Sequence, residues 1–210
     1  DASFHPLFDP EELEKERQVI LAEQRMTEDQ LSRKAMQTLW ELAFLRHPYR
    51  HPIIGYPEIF SRSTRDDLVR YFKTRYTPNQ MVVCVVGDVR PDDAERWVRD
   101  RFGKEKRSVD PTVAREAEPT QVSPRETVIR RPAQHARLAL GFPGVPLTNA
   151  DAPALDVLAQ ILGGGGSSRL LQEIKEKQRL ALDISASSTN LRDAGVFEID
   201  AICLPKDVEA

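Results

Sequence analysis

The sequence predicts an α+β protein in which helices cover a mixed or antiparallel sheet. Three observations support this prediction: a helix-rich first half with strong capping signals, a valine-rich apolar run at residues 81–86, and an alternation of strand and helix patterns after residue 125. A length of 210 residues is enough for one large domain or two small ones with a real core.

Helix signals dominate the first hundred residues. Asp9 precedes Pro10 and two glutamates, which predicts a helix that begins at Pro10, with Asp9 as its N-cap. Ser63 and Thr64 are each followed three residues later by an aspartate, which indicates a capping box and another helix start. The predicted helices in this part are residues 10–26, 28–45, 65–75 and 92–102.

Strand patterns begin with residues 81–86. This apolar run lies between Asn79 and Gly87 and is typical of a strand that is buried on both faces. From residue 103 to 124 the sequence is charged, aperiodic and interrupted by prolines, which predicts a linker at 105–124 between a first domain (1–104) and a second (125–210). In the second domain we predict strands at 126–131, 136–142, 182–187 and 196–204, and helices at 150–162 and 167–177.

Charge and hydropathy argue against two classes of function. The 30 basic and 33 acidic residues give a net charge of −3, so nothing predicts a nucleic-acid partner. No apolar run is long enough to span a bilayer. Cys84 and Cys203 each fall in an apolar predicted strand, which favours two separate buried thiols over a disulfide.

Glu16 and Glu23 are the candidate functional residues. They lie seven residues apart in the first predicted helix. Seven residues make almost two helical turns, so both carboxylates project from one face. Spacing alone leaves two interpretations open: a solvated acidic surface, which the spacing by itself favours, or a pair of acids that belong to a site.

Other motifs favour ordinary structural roles. His47 and His51 are four residues apart, but they lie in a proline-containing loop without an intervening glutamate, so a solvated turn is predicted instead of a zinc motif. Residues 163–166 are four glycines without the lysine of a phosphate-binding loop. They indicate a flexible break between two helices.

Four segments taken together resemble the inverzincin (M16) zinc peptidases, the family of pitrilysin, insulin-degrading enzyme and the mitochondrial processing peptidase. They are FDPEELEKERQVILAEQRM, HPYRHPIIGYPEIF, YTPNQMVVCVVGDV and LGGGGSSRLLQEIKEKQRLAL, and they occur in the family's order. The resemblance implies that Glu23 is a zinc ligand and that Glu16 supports it. It also implies two histidine ligands and a catalytic glutamate from an H-x-x-E-H helix, a motif that this sequence lacks.

The sequence departs from the family at a second place. Relatives that help to bind substrate from their far half carry an arginine and a tyrosine seven residues apart. The matching positions here are Lys175 and Leu182, which lack the guanidinium fork and the phenol hydroxyl. This departure fits the zinc-bearing half of a two-half enzyme, and it fits a degenerate, non-catalytic half equally well.

From the resemblance we expect a fragment of a zinc-dependent endopeptidase that hydrolyses peptides or unfolded small proteins. By itself the fragment is expected to be inactive and to hold no zinc. Its expected partners are a peptide substrate and a second M16-like half, fused or separate. The alternative is a non-catalytic structural or peptide-binding half. Bacterial periplasm and cytoplasm both fit, and the resemblance leans towards the periplasm.

The resemblance also suggests how the two predicted domains are arranged. Since the two domains in each half of the family are alike, the back half of one and the front half of the next could dock as a permuted hybrid domain. This hypothesis requires residues 81–86 to pair in one sheet with the strands of residues 126–204.

Overall fold

The computed structural model of the chain describes residues 4–109 and 115–209, and these residues form an α+β structure. They divide into two compact units, a first unit of residues 4–24 and 56–109 and a second unit of residues 25–55 and 115–209. The helices are α1 Pro10–Asp29, α2 Leu31–Ala43, α3 Pro57–Phe60, α4 Arg65–Arg75, α5 Pro91–Phe102 and α6 Ala152–Gly163, with a π-helical segment at Leu171–Lys177. The strands are β1 Ala136–Gly144, β2 Asp183–Asn190 and β3 Gly195–Cys203.

The helix starts lie where the capping residues predict them. Oδ1 of Asp9 accepts hydrogen bonds from the backbone N–H groups of Glu11 (2.9 Å) and Glu12 (3.1 Å), at the N-terminus of α1. Thr64 and Asp67 form a reciprocal capping box at the N-terminus of α4. These contacts satisfy N–H groups that have no partner within the helix, which is why the local sequence is sufficient to predict them.

The second unit contains an antiparallel sheet in the order β1-β3-β2. Helix α2 covers the face that carries Glu198, and α6 covers the opposite face. Gly163 at the end of α6 lies so close to β2 that a Cβ atom there would meet the backbone nitrogen of Ala186 at 2.0 Å. Central strand β3 contains Val196, which is 1% exposed. The predicted strands at 136–142, 182–187 and 196–204 are therefore confirmed.

Two predicted strands, 81–86 and 126–131, were wrong. Among the described residues neither is part of a sheet, because no other strand lies beside either one. The pairing that a permuted hybrid domain requires, between residues 81–86 and the later strands, is therefore wrong as well. Cys84, predicted to be a buried thiol, is exposed, whereas Cys203 is buried as predicted, and both thiols are free.

The second half of the predicted linker is a strap on the second unit. The middle of that linker, residues 110–114, lies outside the described residues. Beyond it, the Glu118 carboxylate accepts hydrogen bonds from the backbone N–H groups of residues 45–47, and Arg125 donates to the carbonyl of Leu42 at 2.6 Å. Further along, Arg131 contacts Glu28 before the start of α2. Charged side chains thus hold residues 115–131 along α2, while the boundaries of the two family-like domains stay a prediction.

Candidate functional site

Helix α1 presents Glu16 and Glu23 on an open face. Both side chains are exposed, and so is Val19 between them, at 59%. Leu13 and Ile20, on one flank of the glutamate pair, are partly buried. The two carboxylates therefore share the solvent-facing side of α1, separated by about 10 Å along the helix axis.

Arg17 fixes the part of α1 that carries these glutamates. Its Nη1 donates to the carbonyl of Phe60 and its Nη2 to the carbonyl of Ser63, both at 2.8 Å. The guanidinium also lies over the Phe60 ring, 5.6 Å from its centroid, and the side chain is only 13% exposed. Two directed hydrogen bonds from one rigid group hold the helix against the loop that precedes α4.

The described residues do not assemble a zinc site. No group of three or more histidine, cysteine, aspartate or glutamate side chains in residues 4–109 and 115–209 is placed to hold a metal ion. A catalytic zinc requires three protein ligands. Glu23 can supply one carboxylate, so the residues present do not fit the metal without ligands from elsewhere.

Lys175 and Leu182 lie near each other in the second unit. Lys175 belongs to the π-helical segment, and its Nζ is 3.8 Å from Oδ1 of Asp183, the residue next to Leu182. The Leu182 side chain is 46% exposed, and its backbone N–H donates to the carbonyl of Ile202 at 2.7 Å. The fold thus brings together the two positions that depart from the family, and the carboxylate of Asp183 offsets the charge of Lys175.

The prediction that His47 belongs to a solvated turn is wrong, because this residue is only 3% exposed. Its ring lies 4.1 Å from that of Tyr49, between centroids, and its Nε2 is 3.6 Å from Oδ2 of Asp193 in the turn between β2 and β3. Arg115 of the strap pairs with the same carboxylate at 3.0 Å. The loop that contains His47 therefore lies against the turn between β2 and β3, in contact with a side chain far away in sequence. His51, in the same loop, is exposed.

The sequence analysis did not identify Glu198, a buried carboxylate on β3. Glu198 is 6% exposed, its Oε1 accepts a 2.8 Å hydrogen bond from the indole of Trp40, and its Oε2 lies 3.4 Å from Oγ of Ser187. Burial raises the pKa of Glu198, and nearby Asp200 adds to this effect, although the bonds from Trp40 and Ser187 oppose it. The sequence does contain a signal for this buried carboxylate, because Glu198 and Asp200 lie two residues apart in the apolar segment GVFEIDAIC. Alternate residues of a strand share a face, so this spacing places both acids on one face of β3.

Comparisons with known proteins agree with the fold and the motifs. The family model described as "Peptidase M16 inactive domain" matches residues 62–210. An uncharacterized zinc protease of Streptomyces coelicolor is 31% identical over 207 residues, which are 96% of this chain and 45% of the relative. A probable mitochondrial-processing peptidase subunit beta of Arabidopsis thaliana is 31% identical over 208 residues, 93% of this chain and 39% of the relative.

Solved structures show the same fold. A protease from Helicobacter pylori matches with a TM-score of 0.86 and 28% identity, over 94% of this chain and 48% of that one. The chain thus spans just under half the length of the proteins it matches. Helix α1 with Glu16 and Glu23 precedes the stretch that the family model covers. None of the helices in the described part of the chain contains an apolar stretch of the length that a membrane span requires.

Proposed function

Because the chain belongs to the M16 peptidase family, we propose that Glu23 supplies a carboxylate ligand to the zinc site of a longer zinc-dependent endopeptidase. The observation that supports this most directly is the open face of α1, where Glu23 and Glu16 are both exposed on a helix that Arg17 anchors. A ligand for a metal that also binds another segment has to face outward from its own unit. The relatives' names, which include zinc proteases, agree with a zinc site of this kind.

Glu16 takes the supporting role in this proposal. At two turns from Glu23 on the same face, it is well placed to accept a hydrogen bond from a group that orients the metal ligands, since outer carboxylates commonly do so. Because about 10 Å of helix separates Glu16 from Glu23, the two carboxylates do not bind the same ion. Its loss should therefore weaken zinc binding less than the loss of Glu23.

The chain by itself is proposed to be the part that does not perform the chemistry. The described residues bring no three-ligand group together. The substrate class that we propose is peptides or unfolded small proteins, bound between this half and a second M16-like half. Lys175 and Leu182 lack the guanidinium fork and the phenol hydroxyl of the family pattern, so in this proposal substrate contacts of that type come from the second half.

Metal analysis of the purified 210-residue chain is the first test. After incubation with zinc and gel filtration, we expect far less than one zinc per chain and no peptidase activity. Glu11→Gln and Glu23→Gln should then be indistinguishable in zinc content. Stoichiometric zinc that is lost in Glu23→Gln would overturn the claim that the chain lacks a complete site.

The second test uses a polypeptide in which this sequence is joined to an H-x-x-E-H helix. There Glu23→Gln should lower zinc affinity and activity strongly, and Glu16→Gln should lower zinc affinity about 10–100-fold, as outer-sphere changes usually do. Glu11→Gln is the matched control, since it removes an exposed carboxylate from the same helix. Equal zinc affinity in Glu23→Gln and the control would refute the ligand role.

A second candidate function is a non-catalytic structural or peptide-binding half. Lys175 and Leu182 fit this candidate as well as they fit the first one. The observation that favours it is the match of residues 62–210 to the family model described as "Peptidase M16 inactive domain". The coding sequence upstream of Asp1 discriminates the two candidates. An intact H-x-x-E-H there supports the endopeptidase, and a broken motif supports the scaffold.

A further inference from the structure

The ring of His47 is held in one protonation state by its neighbours. Of the four histidines in the chain it is the buried one, at 3% exposed, whereas the other three are exposed. Its Nδ1 accepts a 3.3 Å hydrogen bond from the backbone N–H of Tyr49 and so caps the short helical turn Pro48–Arg50. An imidazole nitrogen that accepts a hydrogen bond carries no proton, so the native ring is neutral and its proton is on Nε2.

The carboxylate of Asp193 lies between this ring and the strap. Oδ2 of Asp193 is 3.6 Å from Nε2 of His47, too far for a hydrogen bond, and Nε2 has no hydrogen-bond partner among the described residues. The same oxygen accepts a 3.0 Å hydrogen bond from Nη1 of Arg115, at the start of the strap. Arg192 lies 3.9 Å from Oδ1, and the Tyr49 phenol accepts the backbone N–H of Asp193 at 3.3 Å. One carboxylate oxygen thus faces two groups that can donate to it, and in the native state only Arg115 does.

Other charged groups near the ring belong to the strap and to the loop of His47 itself. The Glu118 carboxylate of the strap accepts the backbone N–H of His47 at 3.0 Å. In the loop, Arg46 pairs with a strap glutamate at 3.6 Å, and Arg50 donates to a backbone carbonyl of the same loop at 2.6 Å. Each of these groups is directed at a partner other than the His47 ring. In the described part of the chain, the charged neighbour of the ring is therefore Asp193.

Protonation of Nδ1 changes the group that this carboxylate binds. It removes the acceptor of the Tyr49 N–H and places two donors against each other at a site with little access to water. Because a buried charge is costly without a partner, the cationic ring has to move towards an anion, and Oδ2 of Asp193 is 3.6 Å away. As the ring closes this gap it competes with Arg115 for the same oxygen. The side chain of Arg115 is 45% exposed and can be hydrated instead, whereas the buried ring cannot.

We propose that His47 is a pH-responsive latch for the strap. At neutral pH the uncharged ring leaves Asp193 to Arg115, and the start of the strap is held. In mild acid a proton from solvent adds to Nδ1, the imidazolium takes Oδ2 of Asp193, and Arg115 is released with the residues next to it. The range is the one in which histidine ordinarily changes its charge, between about pH 5 and 8. The latch is independent of the zinc chemistry, so its failure would leave the role of Glu23 untouched.

Two other carboxylates of the second unit do not produce the same response. Burial acts to raise the pKa of Glu118, but the backbone N–H groups that it binds and the charge of Arg125 hold it below its usual 4.5, so Glu118 stays ionised in mild acid. Burial raises the pKa of Glu198, so acidification favours the folded state at that residue. A strap that loosens in mild acid therefore reports on His47 and on neither glutamate.

Tryptic cleavage after Arg115 measures the latch, because this side chain has to leave Asp193 to enter the protease. The rate for the 210-residue chain is divided by the rate for a free peptide of residues 110–121, which removes the pH dependence of trypsin itself. We expect this protection to fall about tenfold or more between about pH 7.5 and pH 5.5. His47→Asn should be protected equally at both values, since asparagine is also a good N-cap but does not titrate. His51→Asn, at an exposed histidine in the same loop, is the matched control and should behave like the wild type.

Nitrogen NMR of the His47 ring in the wild-type chain is a second measurement that needs no variant. We expect Nδ1 to be unprotonated at neutral pH and to gain its proton with the same midpoint as the loss of protection at Arg115. Three results would overturn the proposal: equal protection of the wild type at both pH values, the same loss of protection in His47→Asn, or an Nδ1 that does not change its protonation. If the circular dichroism of His47→Asn shows that it is misfolded, the NMR titration decides.

Discussion

The indole nitrogen of Trp40 donates a 2.8 Å hydrogen bond to Oε1 of Glu198 and so joins helix α2 to the central strand of the sheet. The two residues are 158 positions apart in the chain. Their contact joins α2, which precedes the strap in the chain, to β3, which follows it, and both elements belong to the second unit. Because the carboxylate is buried, its charge state affects the stability of this packing.

Glu198→Gln should make the unfolding stability less dependent on pH. Burial raises the folded-state pKa of Glu198 above its usual 4.5, so the folded state holds the proton more tightly than the unfolded state. The corresponding stability is fully present below pH 4.5 and is lost as pH rises through the raised folded-state pKa. Glutamine keeps an acceptor for Trp40 without the charge.

Urea unfolding measured from about pH 4 to pH 8 checks this sign. The Glu198→Gln chain should be the more stable one near neutral pH, and its advantage should vanish at the acid end. Glu126→Gln, at an exposed position on the strap, is the control and should follow the wild type. An advantage of the variant that grows on acidification would show that the sign is wrong.

Trp40→Phe should destabilise the second unit by about 1–3 kcal/mol, because a buried carboxylate oxygen loses its donor. The indole ring also stacks on Phe44, with 5.5 Å between the ring centroids, a contact that phenylalanine largely retains. Chemical denaturation measures the loss. Trp97→Phe, on the exposed surface of α5, should change the stability by less than about 0.5 kcal/mol. Equal effects at the two positions would contradict the role of the bond.

Glu118→Gln should destabilise the strap, most strongly at neutral pH. Burial by itself would raise the pKa of Glu118, but the backbone N–H groups of Leu45, Arg46 and His47, with the charge of Arg125, hold it below its usual 4.5. Stability from a depressed folded-state pKa is present above pH 4.5 and is lost as pH falls through the folded-state value. Glu118→Gln should therefore weaken the acid dependence of unfolding.

Limited proteolysis complements this measurement, since a loosened strap should be cut sooner between residues 115 and 131. Glu116→Gln is the control, because that side chain is 69% exposed and pairs only loosely with Arg46 at 3.6 Å. If Glu118→Gln and Glu116→Gln are cleaved in the strap at the same rate at pH 7, Glu118 is not the residue that holds the strap in place.

Gly163→Ala should disrupt the packing of α6 on the sheet. A Cβ atom there would lie 2.0 Å from the nitrogen of Ala186 and 2.6 Å from the carbonyl carbon of Ser185, both of them backbone atoms. Overpacking of this kind costs about 1–3 kcal/mol or more. Gly166→Ala is the control from the same glycine run, since no atom lies within 4 Å of a Cβ there. Thermal unfolding should separate the two variants, and equal midpoints would contradict the close approach.

Arg17→Gln should loosen α1 and thereby misplace Glu23. Loss of the bonds to Phe60 and Ser63 is expected to cost about 1–3 kcal/mol, as charged hydrogen bonds do. Lys15→Gln, at a side chain that is 67% exposed on the same helix, should cost far less. Denaturation of the chain tests the first part. The second part needs a polypeptide with the complete zinc site, in which Arg17→Gln should lower the zinc affinity. An unchanged zinc affinity there would show that Arg17 stabilises the helix without positioning Glu23.

Local signals were reliable where the structure is locally determined. Asp9 and Thr64 predicted helix starts because each satisfies backbone groups within three residues of itself. The strand pattern at 81–86 identified an apolar extended segment, but a strand also needs a hydrogen-bonded neighbour, and the described residues provide none. The burial of His47 could not be predicted, because its neighbour Asp193 is supplied from the far end of the chain.

The α+β class, the helix starts, the shared helix face of Glu16 and Glu23 and the resemblance to M16 peptidases all follow from the order of the amino acids alone. Each of these depends on side-chain period, on capping within a few residues, or on short motifs. Three features emerge only from the folded chain: the strap at residues 115–131, the burial of Glu198 beside Trp40, and the location in the second unit of the buried apolar side chains among the described residues. These features depend on contacts between residues that are far apart in sequence. The pKa of a carboxyl group such as that of Glu198 or Glu118 likewise depends on burial and on the partners that the fold places beside it.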